Sequence, residues 1–204
     1  MNEAEEKQTL QRYLRYAREA LLWKLAGLSD YDIRRPMTPT GTNLLGLVKH
    51  CAAVESVYFG SVLGRPFRGQ DELDWHEGDD AELGGDFYAT AAETSEQVTD
   101  FYRRVWAHAD ATIGELPMDA RGTVQWWPEP RRNPTLHTLL VHTLQEVARH
   151  AGHADIIRES IDGAAGLRAD VSNLPDEASA AAWKRHYDKL ESIARSARQR
   201  TGNL

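Results

Sequence analysis

The sequence predicts an all-α protein: a four-helix bundle with long loops and one extra C-terminal helix. Three observations lead to the bundle. Apolar residues recur at spacings of three and four through four long stretches, as in helices with one buried face. No stretch of any length carries a strand signal. The fourth stretch carries imidazoles and a carboxylate on its inward face, and bundles build polar sites from such residues on facing helices.

Helix one is expected over residues 3–27, with Leu10, Tyr13, Leu14, Ala17, Leu21 and Leu25 facing inward. Residues 28–41 read as a connection in which Arg34-Arg35-Pro36 is a solvated turn. Helix two is expected from Thr42 or Asn43 to Leu63, with Thr42 as N-cap. Its apolar stripe has His50 close by and Cys51 about 100° away. Residues 64–85 form a long acidic loop. Asp71, Asp74, His76, Glu77, Asp79 and Asp80 fit no calcium-loop spacing, and Trp75 is the expected anchor of the loop.

Helix three is expected over 86–116, with Phe87 and Ala91 on its inward face. Residues 117–133 connect onward. Trp126-Trp127 before Pro128 and Pro130 cannot continue a helix, so both tryptophans either pack over a bundle end or line a substrate mouth. Helix four spans 136–163, opened by Pro134 and closed by Gly163. Gly152 within it suggests close approach of another backbone. A last helix is expected over 176–200, with Ala180, Trp183, Tyr187, Leu190 and Ala194 on one side. The whole chain reads as one domain, its bundle core at about 5–163.

Composition excludes several classes. The chain has 204 residues, 41% of them hydrophobic, enough for one real core. A net charge of −7 argues against a nucleic-acid partner. No stretch approaches the apolar length of a membrane span, so no membrane partner is expected. The lone Cys51 permits no intrachain disulfide, and the acidic N-terminus resembles no targeting peptide; cytoplasmic residence is expected.

Helix four carries the chemistry. His142, Glu146, His150 and His153 fall within about 80° of one another on the face that also bears Leu139. Imidazoles and a carboxylate facing a core need a partner. Glu146 and His150, one turn apart, can share an ion; equally, the histidines can be hydrogen-bonded at a wet helix end. Arg149 lies beside this face, and with His142, Trp126 and Trp127 it is a candidate for supporting contacts or substrate contacts.

Three passages resemble the DinB-like superfamily of metal-binding bundles, and in particular its actinobacterial, mycothiol-dependent branch. They are PTGTNLLGLVKHCAAVESVYFG at Pro39–Gly60, RNPTLHTLLVHTLQEVARHAGHADIIRESIDG at Arg132–Gly163, and YLRYAREALLWKLAGLSD at Tyr13–Asp30. The family motif is a histidine on helix two with an i,i+4 pair on the last bundle helix. His50, Glu146 and His150 match it in the two-histidine, one-glutamate form of mycothiol-dependent maleylpyruvate isomerase. His153 stands where the family has glutamine.

The resemblance implies a divalent ion, zinc foremost, with nickel, cobalt or iron also accepted by such ligands. It implies a low-molecular-weight thiol as co-substrate, a small electrophilic substrate, S-transfer or isomerisation, and often a homodimer. His153 would act as base or orienting group. The isomerases carry a further C-terminal domain, which the roughly 40 residues after helix four do not supply; this favours a transferase or an unassigned relative. A metal-dependent hydrolase and a non-catalytic binding bundle are the alternatives.

Overall fold

The computed structural model describes residues 2–75, 84–175 and 179–201. His76, Glu77, Asp79 and Asp80 of the acidic loop lie outside the described residues. The chain divides into two compact units, Met1–Ser172 and Asn173–Leu204.

In the first unit the long helices are α1 (Glu3–Trp23), α3 (Leu44–Tyr58), α4 (Ser95–Glu115) and α5 (Leu136–Asp162), with a short α2 (Asp30–Arg34) between α1 and α3. No strand occurs among the described residues; the only β pairing there is two isolated bridges. The core contains Leu14, Leu21, Leu45, Val48, Phe101, Val105, Leu140 and Val147, all at most 1% exposed. α1 packs chiefly on α5, and α3 on both α4 and α5, so α3 and α5 share the central seam.

Local chemistry sets each boundary, and several differ from the expected ones. α1 ends at Trp23 rather than at residue 27, and 3-10-type bonds carry the chain on to Gly27, whose φ of 78° suits glycine. Tyr13, expected inside, is 54% exposed. Arg34 is no solvated turn. It closes α2 and donates to the carbonyls of Ala89, Thr90 and Glu93, tying that helix to the loop before α4.

Asn43, not Thr42, caps α3 by accepting from the Gly46 N–H. α3 stops at Tyr58, and a 3-10 turn at Ser61–Leu63 ends in left-handed Gly64. The third long helix starts at Ser95, not at residue 86. Thr94 and Gln97 form a reciprocal capping box there, which outweighs the apolar spacing upstream. Thr135 caps α5, and Gly163 closes it with φ 77°.

Gly152 does not meet another backbone: a Cβ there would have nothing within 4 Å. It lines an open apolar groove between α1 and α5 with Tyr13, Ala17 and Ala148. Asp155 and Arg158 tie α5 to the C-terminal end of α1. Buried Lys24 pairs with Asp155 at 2.9 Å, and Arg158 donates to the carbonyls of Lys24 and Ala26 and to Asp162.

In the second unit, α6 (Ala180–Thr201) is amphipathic, and Trp183, Tyr187 and Leu190 on its apolar side are exposed. Residues 176–178, where the helix was expected to begin, lie outside the described residues.

Candidate metal centre

α3 and α5 run antiparallel. The rings of His50 and His150 meet edge-on with centroids 4.6 Å apart, and further along Tyr58 meets His142 at 4.9 Å. One donor atom from each of His50, Glu146 and His150 lies within 4.8 Å of the others. The side chains are 14%, 27% and 9% exposed, sheltered yet reachable. His150 Nε2 stands 3.6 Å from Glu146 Oε2, too far for a hydrogen bond. Two donors on one tetrahedral ion stand about 3.4 Å apart, so the gap suits a shared cation.

The donor set fits a divalent ion on electrostatic grounds as well. Burial pushes the His150 imidazolium down to about 4, and nearby His50, His153 and Arg149 push the same way. The ring therefore presents a lone pair at neutral pH, which metal binding requires. Its Nδ1 is sealed from solvent with no hydrogen-bond partner. Glu146 adds the negative charge.

His50 is held from the side. Its Nδ1 lies 2.7 Å from Asp86 Oδ2, which leaves Nε2 as the free donor. The Phe87 ring stacks on the imidazole at 3.9 Å and 16°. The hydrogen bond with His50 holds the Asp86 carboxyl below the usual carboxylate range, against the opposing effect of burial. Asp86 and Phe87 sit in a 3-10 turn, Gly85–Phe87, entered through left-handed Gly84. Gly46 on α3 receives the turn: a Cβ there would lie 1.8 Å from the Phe87 carbonyl oxygen.

Asp86 and Phe87 were missed as site residues because their spacing assigned them to the third helix. The Gly84-Gly85 pair and the later Thr94/Gln97 box were the signals of a turn.

The other expected residues are spread around this centre. His153 is exposed, its ring 5.4 Å from His150, and it stands outside the three-donor group. Arg149 is exposed. His142 packs edge-on between Tyr58 and Trp127, at 4.9 and 5.0 Å. Trp127 is half-buried, whereas Trp126 is 61% exposed and so is not covered by the bundle end. Trp127 and His142 border a cavity of about 520 Å³ that Arg131, Thr138 and Gln145 also line. Its wall residue His142 lies one turn from Glu146, about 6 Å by helical rise.

Cys51 is 1% exposed, and burial, reinforced by Glu55 and Glu146, pushes its thiol up; it has neither the access nor the ionisation of a nucleophile. In the acidic loop, Glu72 pairs with Arg104, and Trp75 packs on Phe101 at 5.6 Å while its indole N–H donates to Gln70.

A family model described as mycothiol-S-transferase matches residues 9–163. The chain belongs to that family. Its DinB-like membership agrees with the passages that carried the resemblance, and the matched region runs from within α1 to the end of α5 and includes all three donor residues. Among solved structures, the chain is similar to a conserved protein from Enterococcus faecalis, at 14% identity and a TM-score of 0.62; the likeness covers 77% of this chain and 97% of that one and concerns the fold. No curated protein matches. Membership in the family implies a thiol co-substrate. None of the described helices is long and apolar enough to cross a membrane.

Proposed function

We propose that this member of the mycothiol S-transferase family is a metal-dependent enzyme that joins a low-molecular-weight thiol to a small electrophile. The observation that carries the reading is the convergence of His50, Glu146 and His150 to within 4.8 Å on the seam between α3 and α5. Zinc suits a borderline set of two imidazoles and one carboxylate. When bound, such an ion supplies Lewis acidity and lowers the pKa of a thiol toward neutrality.

The chain's own residues do the remaining work. His50 and His150 offer neutral lone pairs, and Glu146 offsets part of the positive charge. Tyr58, His142 and Trp127 form an aromatic wall beside the centre, where they exclude water and orient the apolar part of a substrate. His153, exposed beside His150, is placed to accept the thiol proton and pass it to solvent. In the transfer, sulfur forms a bond to the electrophilic carbon while the leaving group departs with its electron pair. No protein thiol takes part, since Cys51 is closed off.

The test is to purify the protein without added metal, measure its metal content, and incubate it with mycothiol and a chromogenic electrophile. About one divalent ion per chain and metal-dependent loss of free thiol support the reading. Metal-dependent hydrolysis of ester or amide substrates without thiol consumption would replace it with a hydrolase. A metal-free, inert protein would leave a binding bundle.

A further inference from the structure

Resting on the metal-centre reading above, we infer that Asp86 is the positioning residue of the centre: carried on the Gly84–Phe87 turn, it holds His50 as the Nδ1–H tautomer and so presents Nε2 as the donor. Four observations converge on this. The 2.7 Å contact between His50 Nδ1 and Asp86 Oδ2 gives the Nδ1–H an acceptor that a neutral imidazole uses only in that tautomer. The parallel Phe87 ring at 3.9 Å fixes the rotation of the imidazole about its own axis.

The turn itself is seated on backbone. The Phe87 carbonyl lies where any side chain at position 46 would have to go, and the Asn43 amide donates to the same carbonyl at 3.4 Å. The two histidines also differ: His50 has a carboxylate behind it, whereas His150 Nδ1 has no partner. Of the two rings, His50 is the one oriented by a carboxylate.

Charge points the same way. Two neutral imidazoles and Glu146 leave a divalent ion with a net charge of about +1, and the Asp86 carboxylate behind His50 neutralises that remainder across the ring. Carboxylates behind a ligating imidazole raise its basicity, and their loss typically costs about 10- to 100-fold in metal affinity.

The experiment compares the wild type, Asp86→Ala and Asp86→Asn, with two readouts. Long-range nitrogen-15 NMR at about pH 8, in metal-free protein, reports the His50 tautomer. Competition with a chromophoric chelator reports the zinc dissociation constant. The wild type is expected to show the Nδ1–H tautomer before any metal is added.

Asp86→Ala is expected to populate both tautomers and to bind zinc about 10- to 100-fold more weakly. Asp86→Asn keeps an acceptor oxygen, so it is expected to retain the tautomer with a smaller loss. Asp86 is 38% exposed and lies outside the core, so both variants should keep the bundle's circular dichroism. An unchanged tautomer in Asp86→Ala, or zinc affinity within about twofold of wild type, would overturn the inference. Should the wild type bind no zinc, the metal reading fails by itself, while the tautomer comparison still decides what Asp86 does to His50.

Discussion

Two polar clusters lie within the same bundle and are built on opposite terms. In one, the Arg18 guanidinium is bidentate to Glu55 and also meets Asp110 at 2.8 Å, while the Tyr102 hydroxyl donates to Glu55 Oε1 at 2.8 Å. Arg18, Glu55 and Tyr102 are at most 1% exposed, and their donors and acceptors are matched. Ion pairing with Glu55 and Asp110 overcomes the burial that opposes it and holds the Arg18 charge firmly in place.

In the other cluster, His50, Glu146 and His150 bring donor atoms together with no hydrogen bond between Glu146 and His150, and one imidazole nitrogen is left unpartnered. The two clusters share helix α3, with Glu55 just over one turn from His50. A matched set has nothing left to bind. An unmatched set of donors at a reachable seam does, and that is the physical difference between a polar core and a site.

The comparison breaks most visibly if the closed cluster is opened. Glu55→Ala leaves the buried Arg18 charge with only half-exposed Asp110 as a partner and is expected to cost about 3 kcal/mol by chemical denaturation. Converting both residues to apolar ones of similar volume should cost much less, because no charge is then left unpaired. A single-variant cost below about 1 kcal/mol would place the cluster in a wetter environment than its exposure indicates.

The open cluster should respond to metal rather than to its own bonds. Chelation is expected to lower the melting temperature while leaving helicity intact, since binding to the folded state alone is worth about 2.7 kcal/mol at a hundredfold excess over Kd. Glu146→Gln should abolish metal retention by mass spectrometry and leave metal-free stability within about 1 kcal/mol of wild type. A melting temperature that ignores verified metal removal would count against the centre.

A third test uses the buried pair Lys49–Glu93. Burial opposes ionisation of Glu93. The Thr90 and Asp74 N–H groups and Lys49 outweigh it, so the carboxyl sits below its ordinary range. A depressed folded value means that the stability is present above the unfolded value and is lost as pH falls through the folded one. Stability should therefore decline at acid pH, and Glu93→Gln should remove part of that slope. The smallest effect is expected from Cys51→Ala, which should lose about 1 kcal/mol of packing and keep full metal content.

Much of the bundle was legible because helix periodicity is local. Leu14, Leu21 and Leu139 are buried as their spacing indicated. His50, Glu146 and His150 were legible as candidates through their spacing and the family motif, and their convergence follows from the antiparallel seam. Boundaries were less legible, since Asn43 rather than Thr42 caps α3 and the Thr94/Gln97 box moves the start of α4.

What the sequence by itself determined was therefore the four long bundle helices, most of their inward faces and the candidate ligating residues. Each follows from interactions between residues three or four apart. Tertiary structure decided the rest: that Arg18 would find Glu55 across 37 residues, that Gly46 would admit the Phe87 carbonyl, and that Asp86 would stand behind His50. Those contacts depend on how close two backbones come once the whole core is packed, and no local periodicity records that distance.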